Sequence, residues 1–284
     1  MLLLLKILSI IQYTSKWGII MIKLIASDMD GSLLTDKNEL PPDFFSILDR
    51  LHQRGIKFVV ASGRSYCTLF DNFAPKSNDI DYIADNGTCV VESGKLTYEN
   101  ILNKSCVIDI VKSCREIKGL HLVLCGKNGS YIKRETGTFL DEINRYYKNK
   151  VVMDDLTKVT DEIFKVGIYD MIGSQENSHK ILSKQFSDNL AVVMSGYNWT
   201  DLMNKNANKG EALLKIQQRN NISKDETMAF GDYYNDIEML ANAKYSFVME
   251  NAVCDMKKFG NFVAQKNNDY GVIKAIKKFV FNED

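Results

Sequence analysis

Apolar residues gather along this chain in short unbroken runs, each closed by small-polar or acidic residues. Five such runs, at 22–26, 57–61, 81–84, 227–230 and 246–249, are four or five residues long. A strand without apolar–polar alternation is one covered on both faces, as in a parallel sheet flanked by helices. Helical spacing lies between the runs. Phe44, Ile47, Leu48 and Leu51 follow i, i+3, i+4, i+7 behind Pro41-Pro42, a suitable helix start. Ala212, Leu213 and Ile216 form a second stripe after Gly210, and Ile237, Leu240 and Ala241 a third. The alternation predicts an α/β fold with a Rossmann-like core around a parallel sheet.

From about residue 103 to residue 195 the pattern changes. A helix over 107–117, a hairpin of 121–125 and 130–133 turning at Lys127-Asn128-Gly129, and strands at 165–169 and 191–195 predict an inserted α+β unit. The expected division is a core of 21–102 and 196–284 with a cap of 103–195. Residues 1–20 are read as an extension outside the fold. Their leading apolar stretch, residues 1–11 with Lys6 inside it, is shorter than the roughly 20 residues that span a bilayer. It also lacks the leading basic region and small-residue cleavage site of a secretory signal. A peripheral membrane anchor is the functional alternative for this segment.

Composition narrows the function classes. The 284 residues, 45% hydrophobic and 25% charged, suit a globular domain plus a smaller one. Lys plus Arg equals Asp plus Glu at 36 each, so no net field draws the chain to nucleic acid or an anionic membrane. Six cysteines show no CxxC pair and no His at zinc-ligand spacing. Reduced thiols in a cytoplasmic protein are the expectation, and a monomer or weak homo-oligomer the expected state.

The chemistry is carried where the runs end. They close on Ser27-Asp28, Ser62-Gly63-Arg64, Asp85-Asn86-Gly87 and Gly231-Asp232. In an open α/β sheet ligands bind at the carboxyl edge, so four distant clusters should meet there. Asp28 and Asp30, at i and i+2, are expected to share one space, where two carboxylates repel unless a proton or a cation intervenes. Gly31 lets the chain turn, and Ser32 adds a hydroxyl. An ordinary Asp-Gly turn is the plainer account of the same residues. Asp232 and Asp236 form a second acidic pair; with Asp28 they suit Mg²⁺, which prefers hard oxygen ligands, although Asp232 or Asn235 would equally cap a helix. Ser62-Gly63-Arg64 offers an anion cradle at a strand-to-helix turn. Lys209, before Gly210, can place an ammonium beside a phosphoryl group, and Lys205 carries the same charge.

Taken in order, DMDGSLLTD (28–36), VVASGRS (59–65), NKG (208–210) and GDYYNDIEML (231–240) resemble the four motifs of the haloacid dehalogenase superfamily. IADNGT (83–88) and the inserted unit make the chain similar to the Cof-type branch with a class IIB cap. The resemblance covers essentially everything from Met21 onward. It implies that Asp28 is the nucleophile and a Mg²⁺ ligand. Asp30 would be the general acid/base, lending its backbone carbonyl to the metal. Ser62 and Lys209 would hold the phosphoryl group, with Gly63, Arg64 and Asn86 at the substrate. Asp232 would complete the protein's metal ligands, Asn235 would touch phosphate or metal-bound water, and Asp236 would support the site. Ser32 stands where the family more often has Thr. The implied activity is a phosphatase acting on a small phosphorylated metabolite, with sugar phosphates the usual range. A phosphomutase of the same fold and a non-catalytic phosphate-binding regulator are the alternatives.

Overall fold

The computed structural model describes residues 21–134, 137–147 and 150–283, so the expected extension over 1–20 lies outside the described residues. The chain opens with β1 (Leu24–Asp28), α1 (Phe44–Gln53), β2 (Lys57–Ala61), α2 (Tyr66–Asn72), β3 (Asp81–Ala84), β4 (Cys89–Glu92) and β5 (Lys95–Glu99). A second unit follows: α3 (Lys104–Arg115), β6 (Leu120–Gly126), β7 (Ser130–Lys133), α4 (Thr138–Tyr146), β8 (Lys150–Met153), β9 (Ile163–Asp170), α5 (Ser178–Phe186), β10 (Leu190–Gly196) and β11 (Trp199–Asn204). The chain then returns to the first unit with α6 (Lys209–Asn220), β12 (Thr227–Gly231), α7 (Ile237–Ala241), β13 (Tyr245–Met249), β14 (Phe262–Ala264) and α8 (Gly271–Ile276).

The core sheet runs β14-β13-β12-β1-β2-β3-β4-β5, parallel from β14 to β3 and antiparallel beyond. Both faces of the parallel part are covered, which is why its strands read as unbroken apolar runs. Ile25, Phe58, Val60 and Phe230 pack on α1, α2 and α8, while Leu24, Ala26, Val59 and Ala229 pack on α6 and α7. β1 extends past the apolar run through Ser27 to Asp28, because its ladder with β2 continues to Asp28 opposite Ala61.

The inserted unit is a six-stranded sheet in the order β10-β11-β9-β6-β7-β8, antiparallel except where β7 meets β8. Helices α3 and α5 bury Ile110, Val111 and Leu182 against one face. On the other, Phe139 and Ile143 of α4 cover Val123 and Cys125, with Tyr169 and Trp199 packed against them, while Lys165 of β9 and Asp201 of β11 reach the core. This sheet runs on to Asn204, past the boundary drawn at 195. Thr200 and Asp201 interrupt the apolar run of β11, and the strand pairs with both β10 and β9. No helix among the described residues is long and apolar enough to cross a membrane.

Candidate active site

Strand order alone brings four sequence clusters together. β12, β1, β2 and β3 are parallel neighbours, so Asp232, Asp28, Ser62 and Asn86 emerge side by side. A cavity of about 590 Å³ opens over this edge, and Asp28, Asp30, Ser62, Gly63, Arg64, Asn86, Asp232 and Asn235 all line it. Lys209 and Asp236 lie fully buried beneath.

Asp28 is nearly buried at the end of β1. Its Oδ1 accepts Lys209 Nζ at 2.5 Å, while Oδ2 is buried with no hydrogen-bond partner among the described residues. Lys209 is the first residue of α6, whose start is capped by Asn208 Oδ1 accepting the Glu211 N–H. The same ammonium donates to Asp236 Oδ1 at 2.6 Å. Asp236 Oδ2 in turn accepts the backbone N–H groups of Asp232 and Tyr233, at 3.0 and 3.2 Å. Asp236 is therefore committed to lysine and backbone. Lys205 is exposed and donates to the Asp188 carbonyl, away from this cluster.

Electrostatics single out two groups. Burial lifts the Asp28 carboxyl well above the usual range; Lys209 pulls it down, while Asp236 and Asp232 push it further up. Burial also lifts Asp232, to about 7, with Asp236 adding to the effect and Lys209 opposing it. Burial acts against the charge on Lys209, but Asp236 and Asp28 outweigh it and hold the ammonium above its ordinary value. Asp28, Asp232 and Asp236 each place one oxygen within 4.8 Å of the others. Crowded, buried carboxylates with one oxygen left over make a donor set that a hard divalent cation fits.

Asp30 lines the same cavity as Asp28, but its carboxylate is held by Arg64. Its side chain is 47% exposed and pairs with Arg64, Nε to Oδ2 at 2.9 Å and Nη2 to Oδ1 at 2.5 Å. The neighbours of the Asp28 carboxylate are Lys209, Asp232 and Asp236. The i, i+2 rule holds only inside a strand, and β1 ends at Asp28. Beyond it Gly31 turns at φ +81°, where a Cβ would fall 2.4 Å from Asp232 Oδ2. Glycine is what lets the loop cross that carboxylate.

The ends of β2 and β3 are laced together. Asp85 N–H donates to the Arg64 carbonyl and Asn86 N–H to the Ser62 carbonyl, at 2.9 and 3.0 Å. Asp85 and Asn86 both adopt the left-handed region, which Asp and Asn tolerate better than most. Asn86 Nδ2 donates to Asp201 Oδ2 at 3.0 Å, and its Oδ1 accepts Asn235 Nδ2 at 3.1 Å. Sequence reasoning missed the cap side of the cavity, where Lys165, Asp201, Tyr147 and Trp199 stand. A lysine inside the otherwise apolar run IFKVGI (163–168) was the available signal.

The sequence profile described as haloacid dehalogenase-like hydrolase matches residues 25–276. The chain belongs to this family. It is 32% identical over 264 residues to 5-amino-6-(5-phospho-D-ribitylamino)uracil phosphatase YbjI of Escherichia coli K12, covering 92% of this chain and 97% of that one. Among solved structures it is similar to SMU.1108c from Streptococcus mutans UA159, at 28% identity and a TM-score of 0.84, over 92% of this chain and 99% of that one. It also shares the fold of the HAD subclass IIB sugar phosphatase BT4131, at 22% identity and a TM-score of 0.78, over 90% and 98% of the two chains. The protein is a Cof-type phosphatase with a Rossmann-like core and an inserted cap.

Proposed function

We propose that the protein hydrolyses a small phosphomonoester in two steps with Mg²⁺, through a phosphorylated Asp28. The observation that carries this reading is the buried Asp28 Oδ2, an unpartnered carboxylate oxygen in a cavity that also presents Ser62 and Asn235. In the first step Asp28 Oδ2 bonds to phosphorus. The ester oxygen leaves with the bonding pair and takes a proton from Asp30, which gives up its pairing with Arg64 to carry that proton. In the second, Asp30 takes a proton from water, whose oxygen bonds to phosphorus and frees phosphate and Asp28.

Lys209 holds Asp28 Oδ1 and so aims the other oxygen. Asp28, Asp232 and the Asp30 backbone carbonyl would hold Mg²⁺, which when bound offsets carboxylate charge and polarises phosphoryl oxygens. Asp236 positions Lys209 and the Asp232 backbone. The cavity leaves room beyond a phosphoryl group for an alcohol portion set against Trp199, Tyr147 and Asn198, which suits a sugar phosphate or related metabolite. The unpaired cysteines fit a cytoplasmic protein, which we take to act as a monomer or weak homo-oligomer.

The test is phosphate release from a panel of phosphomonoesters, with Mg²⁺ and with excess EDTA, by the wild type and by Asp28→Asn. Turnover should require Mg²⁺ and fall by orders of magnitude in the folded variant. Near-normal turnover by Asp28→Asn would remove the nucleophile from the scheme.

A further inference from the structure

Lys165 has no part in the two steps above, yet it is a buried charge through which the cap meets the core. Its side chain is 2% exposed on β9. The ammonium donates to the Gly63 carbonyl at 2.7 Å and to Asp201 Oδ2 at 3.2 Å, and lies 3.3 Å from Asp85 Oδ1. Asp201 Oδ2 also accepts Asn86 Nδ2. Lys165 and Asp201 belong to the cap sheet, and Gly63, Asp85 and Asn86 to the core. Desolvating charges is costly, so apolar packing would hold a cap in place at least as well. A network of this kind is better explained by what it orients.

Two points of contact with the core are informative. The Gly63 carbonyl belongs to the same planar unit as the Arg64 N–H, which donates to Ser62 Oγ at 3.1 Å. Fixing the carbonyl fixes that N–H, so Ser62 Oγ accepts from the backbone and keeps its O–H for the cavity. Gly63 also packs directly on Asn86, where an added Cβ would meet Oδ1 at 3.2 Å. The second contact is the Asn86 amide. With Nδ2 drawn to the Asp201 carboxylate, Oδ1 must face Asn235 Nδ2. That leaves the other N–H of Asn235 for a ligand. Ser62 and Asn235 both line the cavity beside Asp28.

We propose that Lys165 and Asp201 are positioning residues for phosphate, setting the Gly63–Arg64 peptide and the Asn86 amide so that Ser62 and Asn235 donate to phosphoryl oxygens. The proposal rests on the phosphatase reading. It makes the phosphate-binding end of the site depend on the cap being seated, since both positioning charges arrive from the cap sheet.

The experiment uses the full-length, Mg²⁺-loaded protein as wild type, Lys165→Met, Lys165→Arg and Asp201→Ala. Binding of inorganic phosphate and of Mg²⁺ is measured by calorimetry, and kcat and KM with the best ester of the panel. Lys165→Met should weaken phosphate binding and raise KM tenfold or more, and Asp201→Ala threefold or more, with Mg²⁺ affinity within twofold of wild type. Lys165→Arg, which keeps the charge, should recover most of the loss. A folded Lys165→Met with phosphate affinity and KM within twofold of wild type overturns the proposal. If Lys165→Met does not fold, Asp201→Ala decides by the same measurements. A wild type that releases phosphate from no ester defeats the phosphatase reading itself, an outcome distinct from active wild type with unmoved variants.

Discussion

Lys209 Nζ donates to Asp236 Oδ1 at 2.6 Å, and neither side chain has any exposure. The lysine opens α6 and the aspartate ends the turn after β12, so the ion pair joins two loops of the sheet edge. Because the same ammonium reaches Asp28 Oδ1, the pair also sets the orientation of the carboxylate read here as the nucleophile.

Removing the lysine leaves two buried carboxylates facing each other without a cation. Breaking a buried pair by deleting one partner typically costs about 3–5 kcal/mol. Lys209→Met should therefore lose that order of stability in urea unfolding and lose phosphate release altogether. Stability equal to wild type would mean that the cluster takes up protons without strain.

Gly87 is a second support of the same lysine. At φ +94° its Cα faces the backbone of Asn208, and an added Cβ would lie 2.2 Å from the Asn208 carbonyl oxygen. Gly87→Ala should cost about 1–3 kcal/mol from the left-handed backbone alone, with displacement of Asn208 added. The urea midpoint should fall, and turnover with it, since Lys209 follows Asn208 directly. An unchanged midpoint would contradict this close approach.

How far the sequence revealed this architecture depended on what each residue faces. β2 and β3 were readable residue for residue, because both faces are buried and every position is constrained alike. β11 was not, because Thr200 and Asp201 break its apolar run, and Asp201 turns to Lys165 and Asn86. Residues at the ends of parallel strands could be placed at one edge from order alone. The partner of Asp30 could not, since it depends on a turn beyond the ladder, and Lys165 depended on how the cap docks.

Glu226 links the start of β1 to the turn before β12. Lys23 Nζ lies 2.6 Å from its Oε1, and Oε2 accepts the Ser223 N–H and hydroxyl at 2.9 and 3.0 Å. Lys23 first, and Ser223 after it, holds this carboxyl at about 2 against an ordinary 4.5. A depressed folded value stabilises above the unfolded one and is lost as pH falls from about 4.5 to about 2. Glu226→Gln should melt below wild type at pH 7, and the two melting curves should converge by pH 2. A gap that stays constant over that range would show the carboxyl's charge to be unimportant.

Asp232 runs in the opposite sense. Burial chiefly, then Asp236, raises it from 3.8 to about 7. Folding then binds its proton more tightly than the unfolded chain does. Its contribution to metal-free stability is fully present below about 3.8 and is lost as pH rises to about 7. In the proposed scheme Mg²⁺ would take the carboxylate and not the acid, so its binding would expel that proton below pH 7 and need not do so above it. Calorimetry in two buffers of different ionisation heat should show more protons released at pH 6 than at pH 8, with Mg²⁺ affinity rising between them. Asp232→Asn should remove its share of that proton release, leaving the share of the raised Asp28 carboxyl, and should lose most of the affinity. Equal proton release at the two pH values, or full Mg²⁺ affinity in the variant, would take Asp232 out of the metal's ligands and leave Asp28 to hold the cation with other partners.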